Sequence, residues 1–256
     1  MPIVEVPAIA RSSLIPLFGE HVRDRAFLDS VLEGHAGAAR ADDTARPTVA
    51  RLDCGPFAAF AGNPESPAAE DLVRCASIDW TTPETPRWRA LLEELFPGRV
   101  RAIPFVTLSS ASLDVGVLGR LASCVPSGYV VRRLDATWVD RLLADMRRSW
   151  LLDSYASLDD FLRRGIGYLA VCGGRVVASA TSAVTSSRAI DIDIETAPGH
   201  RRKGLATAVG AALALECLVR GLEPLWLASN ETSCHLAEKL GYERVDRYET
   251  LEIAER

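Results

Sequence analysis

The sequence has little of what several common kinds of functional site require. Its six cysteines are scattered without a CxxC pair, which favours reduced thiols in the cytoplasm over a disulfide scaffold. Its four histidines show no metal-ligand spacing, so we expect no metal site. The GxSxG elbow of hydrolases and the GxxxxGK(S/T) and GxGxxG loops are absent, which argues against the commonest hydrolase and nucleotide-binding motifs.

An excess of positive charge and long apolar runs are also missing. The net charge is -5 at pH 7, so no overall basic field favours nucleic acid or anionic membranes. The longest apolar stretch that predicts a helix, 205–219, is shorter than the roughly 20 residues that span a bilayer, and it carries Glu216. Residues 1–20 lack a basic start followed by an unbroken apolar run, so we expect no signal peptide. These absences predict a cytoplasmic protein that binds neither nucleic acid nor membrane.

The most informative stretch, 190–219, predicts a strand, a basic turn and a buried helix. Residues 190–196 read Ile-Asp-Ile-Asp-Ile-Glu-Thr, and this alternation is typical of a strand whose two faces differ. Residues 205–219 are almost continuously apolar and rich in alanine, which predicts a helix buried on most sides. The first-turn amides of such a helix have no intrahelical partner and lie at the positive end of its dipole. They therefore attract an anion such as a phosphate.

The turn before this helix, Arg-Arg-Lys-Gly at 201–204, favours a bound polyanion. Cations at a helix start are unfavourable by roughly 0.3 to 1 kcal/mol each, and a polyanion would remove that conflict. Gly204 would let the anion approach the backbone closely. The plain alternative is a solvated cationic cluster without a ligand.

Residues 196–206 resemble motif A of the GNAT superfamily of acetyl-CoA-dependent N-acetyltransferases. The core of that motif is Arg/Gln-x-x-Gly-x-Gly/Ala, and Arg201, Gly204 and Ala206 occupy its three defined positions. The resemblance implies acetyl-CoA as co-substrate, with its diphosphate held by the amides of residues 202–207.

A second stretch resembles motif B of the same superfamily, in which an Asn follows the fifth strand and the next helix ends in Gly-Phe or Gly-Tyr. Here a short apolar run at 225–228 is followed by Asn230, by Ser233 and by a predicted helix that ends in Gly241-Tyr242. More narrowly, residues 126–253 resemble a bacterial subgroup that includes zwittermicin-resistance acetyltransferases and carries an additional N-terminal region. The plain alternative for Asn230 is a helix cap or turn residue.

The resemblance implies a mixed α/β (α+β) fold, with a central mixed sheet and helices on both faces. The GNAT acetyltransferase domain would span 126–256, and a smaller N-terminal accessory α/β domain would span 1–125, since the two halves separate near Val-Pro-Ser-Gly at 125–128. Pantetheine would run beside the end of the alternating strand like an added strand. The implied acetyl-CoA contacts are Ile194, Thr196, Arg201, Arg202, Lys203, Gly204, Leu205, Ala206, Thr207, Asn230 and Ser233.

Glu195 and Asp193 are the candidate catalytic residues. Acetyl transfer requires a neutral amine, whereas alkyl amines titrate near pH 10 and arrive protonated, so a carboxylate must accept a proton directly or through water. Asp191, Asp193 and Glu195 share one face of the predicted strand, and the latter two lie nearest the turn. They could equally bind a cationic acceptor or form a polar face satisfied by Arg or Lys. A strand bulge would change which face they occupy.

One departure from the superfamily pattern affects the expected chemistry. Many members place a Tyr that protonates the departing thiolate after the position of Leu236, where this chain has Ala237. A thiol with a pKa near 8.5 leaves tolerably as the thiolate, so transfer does not depend on that acid. Tyr242, Ser233, Cys234 or water could serve in its place.

The predicted function is direct acetyl transfer from acetyl-CoA to a primary amine of a small molecule, such as an antibiotic or a metabolite. An acyl-CoA-binding sensor with little turnover and a protein N-acetyltransferase remain as alternatives, and a homodimer is left open. Aromatic residues that could line an acceptor pocket are Phe105, Trp150, Tyr155, Tyr168 and Trp226.

The remaining elements are predicted from periodicity and turn residues, and no internal repeat is found. Predicted helices lie within 11–39 and at 88–96, 137–148, 158–164 and 232–240. Predicted strands lie at 49–52, 57–61, 102–108, 129–134, 167–172 and 175–184, with a final pair at 244–248 and 250–253.

Overall fold

The computed structural model describes residues 2–19, 21, 23–146 and 149–254, with only the backbone described at 149–150. The chain forms two compact units, one of Met1–Phe105 with Tyr248–Arg256 and one of Val106–Arg247. The boundaries between the two units therefore lie after residues 105 and 247. The division into an accessory domain to residue 125 and a catalytic domain from 126 stays a prediction.

The first unit contains a sheet in which a parallel strand follows an antiparallel group. Strands β1 to β4 pair antiparallel in sequence order, β4 pairs parallel with β5, and β5 pairs antiparallel with the end of β12. The strands are β1 (Val4–Glu5), β2 (Ala38–Ala41), β3 (Val49–Cys54), β4 (Phe57–Gly62), β5 (Trp80–Thr81), the start of β6 (Val100–Ser109) and the end of β12 (Glu243–Ile253). The helices are α1 (Ile15–Phe18), α2 (Arg25–Leu32), α3 (Ala69–Arg74) and α4 (Pro86–Leu95).

A buried arginine in the first unit donates hydrogen bonds to the end of a helix. The side chain of Arg51 is 0% exposed, and it lies among carbonyl oxygens at the end of α3. Its guanidinium donates to the carbonyl oxygens of Val73 (2.8 Å) and Ser77 (2.6 Å), and its Nε donates to Asp53 Oδ1 (2.7 Å). Because carbonyls at a helix end lack intrahelical donors, this side chain supplies the missing C-terminal cap.

The second unit is a mixed sheet covered on both faces by helices. Strands β7 to β10 pair antiparallel in sequence order, β10 pairs parallel with β11, and β11 pairs antiparallel with the end of β6. Its strands are β7 (Val130–Arg133), β8 (Gly167–Cys172), β9 (Arg175–Thr185), β10 (Ala189–Thr196) and β11 (Glu223–Ala228). Its helices are α5 (Val115–Ser123), α6 (Ala136–Met146), α7 (Leu158–Arg164), α8 (Leu205–Arg220) and α9 (Glu231–Leu240).

Alternate residues of β8 show the two covered faces of this sheet. Leu169 and Val171 pack in a cluster with residues of α6 and α7, whereas Ala170 packs in a cluster with residues of α8. The predicted mixed sheet with helices on both faces is therefore confirmed.

The two units share one order of elements. Each has a strand, a helical segment, three antiparallel strands, a helix, a parallel strand, a helix and a last strand. The last strands are exchanged between the two repeats of this order. Strand β6 follows α4 but pairs with β11, and β12 follows α9 but its end pairs with β5. The chain thus repeats a topology without an apparent repeat in its sequence.

Most predicted elements are confirmed, and the hairpin at Gly173-Gly174 has positive φ angles of 58° and 78° at both turn residues. The final strand pair is wrong, because β12 runs unbroken through Tyr248 and Glu249 until Leu251 and Glu252 pair with β5. Helix α6 ends at Met146, and residues 147–148 of its predicted end lie outside the described residues.

Candidate active site

A cleft of about 730 Å³ lies between the carboxyl ends of β10 and β11. The parallel pairing of the two strands covers only Ala189–Asp191 and Glu223–Leu225, and both strands continue beyond it. Parallel strands that separate in this way leave backbone amides and carbonyls available to an extended ligand.

The basic turn and the start of α8 form one end of the cleft. Gly204 is the residue before the helix and has φ +80°, and no side chain caps the helix start. Arg202 is also left-handed, with φ +59°, which is strained for a residue with a Cβ. Left-handed residues in a turn can direct neighbouring amides to one side, and the helix start adds its own free amides, so this end of the cleft is suited to an anion.

The acidic residues of β10 keep the alternation that the sequence predicts. Ile194 faces α8, where a Cβ added to Gly210 would lie 2.9 Å from its Cδ1. Asp193 and Glu195 point the other way and line the cleft. The irregularity in pairing between β9 and β10 places the additional residue in β9, so it does not reverse the faces of β10.

The residues of β9 that pair with the two carboxylate residues are buried. Asp193 lies opposite Thr181 and Glu195 opposite Ser179 on β9, and these two residues are 1% and 0% exposed. Asp191, the third acidic residue of the strand, is outside the lining of the cleft. Asp193 and Glu195 therefore lie together in the cleft, and their catalytic role stays a prediction.

Ten of the eleven predicted coenzyme contacts line this cleft, and Lys203 does not. The Lys203 ammonium instead donates to the Tyr129 hydroxyl over 2.9 Å. Arg201 lines the cleft and donates from Nε to the carbonyl oxygen of Thr196 over 3.1 Å. The ten residues are Ile194, Thr196, Arg201, Arg202, Gly204, Leu205, Ala206, Thr207, Asn230 and Ser233.

Asn230 caps α9 and also faces the cleft, so its two predicted roles are compatible. Its side-chain oxygen accepts from the backbone amide of Ser233 over 2.9 Å. The Ser233 hydroxyl in turn accepts from the indole Nε1 of Trp226 over 3.0 Å. These bonds fix three side chains along the wall opposite β10.

Of the aromatic residues considered for an acceptor pocket, Trp226 lines this cleft. The Tyr155 hydroxyl is bonded to Ser182 and Thr185 within the core, and burial raises the pKa of Tyr155 to about 12. The Tyr168 hydroxyl donates to Glu216, and Phe105 stacks on Tyr248 in the first unit. The side chain of Trp150 lies outside the described residues.

The candidates for protonating a leaving thiolate differ in burial and in whether they line the cleft. Ala237 is fully buried in the core. The Tyr242 hydroxyl donates to the carbonyl oxygen of Pro224, and burial raises the pKa of Tyr242 far above its usual range. Cys234 is 0% exposed, and burial raises the pKa of its thiol. Of the three protein candidates, Ser233 lies in the cleft, beside space for water.

Several residues that line the cleft were not singled out from the sequence. His200 ends the short 3-10 turn after β10, and its only sequence signal is its place between the strand and the basic turn. The others are Ile192, Leu227, Ser229, Thr232, Leu236 and Lys239. Most belong to β11, to α9 or to their connection, which the resemblance to motif B already pointed to.

Among the residues that the structure describes, no group of three or more His, Cys, Asp or Glu residues is placed to hold a metal ion. In the same ranges no helix has the length and apolar character needed to cross a bilayer.

Comparisons with known proteins agree on one family. The model of the GNAT acetyltransferase family matches residues 15–251. An uncharacterized N-acetyltransferase of Bacillus subtilis strain 168, YdfB, is 29% identical over 126 residues, which are 48% of this chain and 48% of YdfB. The match to this curated relative thus spans about half of its length.

Solved structures extend the likeness over the whole chain. A GCN5-related N-acetyltransferase-like protein from Streptococcus suis is 30% identical, with 96% of this chain and 99% of that chain covered and a TM-score of 0.84. A tandem GNAT protein from the clavulanic acid biosynthesis pathway has a TM-score of 0.63 at 16% identity, with 100% and 99% of the two chains covered. At that identity the second likeness concerns the fold alone.

Proposed function

Because this chain belongs to the GNAT acetyltransferase family, we propose that it moves an acetyl group from acetyl-CoA directly to a primary amine of a small molecule. Family membership supports the prediction that the chain is an acyltransferase, and the predicted GNAT fold is confirmed. The observation that carries the proposal is one cleft in which two carboxylates, separated strand ends and an uncapped helix start meet.

The residues of the cleft fit the chemical groups of acetyl-CoA. The amides of the turn and of the first turn of α8 would hold the diphosphate, with Arg201 and Arg202 supplying positive charge. The separated end of β10 offers backbone groups to the two amides of pantetheine, and Ser233 and Asn230 lie on the facing wall. This arrangement would leave the thioester near Asp193 and Glu195.

The proposed reaction needs one displacement and the loss of two protons from the acceptor nitrogen. Glu195 or Asp193 accepts a proton from the ammonium of the acceptor, directly or through a water molecule. The neutral amine then forms the N–C bond to the acetyl carbon, and the C–S bond breaks with the electron pair leaving on sulfur. The nitrogen releases its second proton to water as the amide forms. Water or the Ser233 hydroxyl can protonate the thiolate, which is itself a tolerable leaving group.

The acceptor is proposed to be a small cationic amine, such as an amine-containing antibiotic or a metabolite. Two carboxylates in the cleft favour a positively charged ligand over a neutral or anionic one. The narrower likeness to zwittermicin-resistance acetyltransferases stays a prediction, as does a location in the cytoplasm.

Release of free thiol from acetyl-CoA, measured across a panel of primary amines, tests this function. We expect release that depends on the amine and an acetylated product in the mass spectrum. Binding of acetyl-CoA without amine-dependent release from any member of the panel would contradict a small-molecule transferase. Acetylation found only on intact candidate proteins would assign the activity to protein N-termini or lysines.

A second candidate function is an acyl-CoA sensor with little turnover. Ala237 favours it, because the fully buried methyl group cannot supply the proton that the superfamily's usual Tyr supplies. The thiol-release assay separates the two functions, since a sensor binds acetyl-CoA without consuming it.

Gly204→Ala is expected to lower the stability by about 1 kcal/mol and to weaken coenzyme A binding roughly five-fold. A Cβ added there meets nothing within 4 Å, so the effect comes from the φ of +80° alone. An alanine that relaxes this φ turns the helix-start amides away from the phosphate. Gly199→Ala is the matched control, because its Cβ also meets nothing within 4 Å and its φ is not positive. Equal coenzyme A affinities of the two variants in calorimetry would contradict the proposed role of Gly204 in phosphate binding.

A further inference from the structure

Three side chains beside the basic turn form a cluster that the proposed reaction does not use. Tyr129 precedes β7, His200 ends the short 3-10 turn Pro198–His200, and Lys203 belongs to the basic turn. The Tyr129 hydroxyl lies 3.0 Å from His200 Nδ1 and 2.9 Å from Lys203 Nζ. The rings of Tyr129 and His200 meet edge to face at 5.7 Å.

For a neutral His200, the chemistry of the three groups favours one direction for these hydrogen bonds. An ammonium can only donate, so the Tyr129 oxygen accepts from Lys203. The phenol hydrogen is then available to Nδ1 of a neutral His200. A neutral imidazole that accepts at Nδ1 carries its own hydrogen at Nε2. In this arrangement a neutral His200 is the tautomer that donates from Nε2.

His200 is placed where such a donor would meet an anion bound in the cleft. It is half-buried and lines the cleft together with its neighbours Arg201 and Arg202. The Nδ1 side of its ring is taken by Tyr129. Lys203 adds positive charge 5.6 Å from the centre of the Tyr129 ring and polarises the phenol toward donation.

We propose that His200 binds a phosphate group of coenzyme A through Nε2–H and that Tyr129 is the residue that positions it. The proposal rests on the proposed function, because it takes coenzyme A as the ligand of the cleft. It adds a side-chain donor to the backbone amides of the turn. The 3′-phosphate and the diphosphate share the relevant chemistry, and the experiment distinguishes them.

The test compares four full-length proteins: the wild type, His200→Ala, His200→Gln and Tyr129→Phe. We expect His200→Ala to raise the KM for acetyl-CoA by about 10-fold with little change in kcat, as for loss of a hydrogen bond to a charged group. His200→Gln should recover part of the affinity, because its amide can donate at the reach of Nε2. Tyr129→Phe should raise the KM for acetyl-CoA roughly three-fold, because the Nε2–H donor of His200 remains but is no longer oriented.

Calorimetry with coenzyme A and with 3′-dephospho-coenzyme A identifies the phosphate. If His200 binds the 3′-phosphate, His200→Ala and the wild type bind the dephospho compound equally. If it binds the diphosphate, the loss persists with both compounds. Nitrogen-15 chemical shifts of the imidazole should show the Nε2–H tautomer in the wild type and a mixture of tautomers in Tyr129→Phe.

His235→Ala is the matched control, since His235 lies on α9 outside the cleft and is exposed beside Glu231 at 3.9 Å. Coenzyme A affinities of His200→Ala equal to those of the wild type and of His235→Ala would overturn the proposal while leaving the proposed function intact. A wild-type chain that binds no coenzyme A would overturn both.

Discussion

The double variant Glu195→Gln with Asp193→Asn should lose kcat for acetyl transfer by about 10²- to 10⁴-fold. Both carboxylates line the cleft, and both would be replaced by amides of nearly the same shape that cannot accept a proton from an ammonium. The helix start and the strand backbone would be unchanged, so we expect the affinity for acetyl-CoA to be retained. The single variants should divide the loss and show which carboxylate acts as the base.

The rate of the double variant should recover in part as the pH of the assay approaches the pKa of the acceptor amine. Alkyl amines titrate near pH 10, so more of the acceptor then arrives neutral and the protein base becomes less important. Asp191→Asn is the control, because Asp191 belongs to the same strand but lies outside the lining of the cleft. Wild-type turnover in the double variant would refute the assignment of the base.

Arg51→Leu should lower the free energy of unfolding by about 3 to 5 kcal/mol, because several buried acceptors would lose their donor and each costs roughly 1 to 3 kcal/mol when left unsatisfied. The leucine would leave Asp53 Oδ1 and the carbonyl oxygens at the end of α3 without the donors that now satisfy them. Urea unfolding followed by circular dichroism measures the loss. The same variant should retain its affinity for coenzyme A wherever it is folded, since Arg51 belongs to the first unit.

Arg40→Leu is the matched control for Arg51. Arg40 pairs with the second oxygen of the same carboxylate, Asp53 Oδ2, over 2.6 Å, but its side chain is 26% exposed against 0% for Arg51. Water can replace an exposed partner, so we expect a loss of less than about 1 kcal/mol. Similar losses in the two variants would show that burial of the Arg51 guanidinium does not determine its contribution.

The parts of the site predicted from the sequence are those built by adjacent residues. The alternating strand, Gly204 and the apolar helix lie within about thirty residues of one another, and the turn chemistry and hydrophobic period fix their local structure. The capping bond from Asn230 to Ser233 is equally local. Such features leave a strong record in one sequence because tertiary context does little to change them.

The parts that were not predicted depend on residues far apart in the chain. The Tyr129 hydroxyl meets His200 across 71 positions, and Arg51 meets the end of α3 across more than 20. Strand β5 has only two residues and α3 only six, too few to show a period. The break predicted within β12 was wrong because its pairing with β5 is a long-range contact that local residues do not encode.

The exchanged last strands have a consequence for how this protein is made. The sheet of the first unit is completed by β12, which pairs with β5 and is synthesised long after it, so β5 leaves the ribosome with an open edge. The residues up to β6 cannot complete that sheet alone, and its folding must wait until β12 has been synthesised. Translation that stops before residue 243 would therefore release a first unit whose β5 edge is open to pairing with other chains.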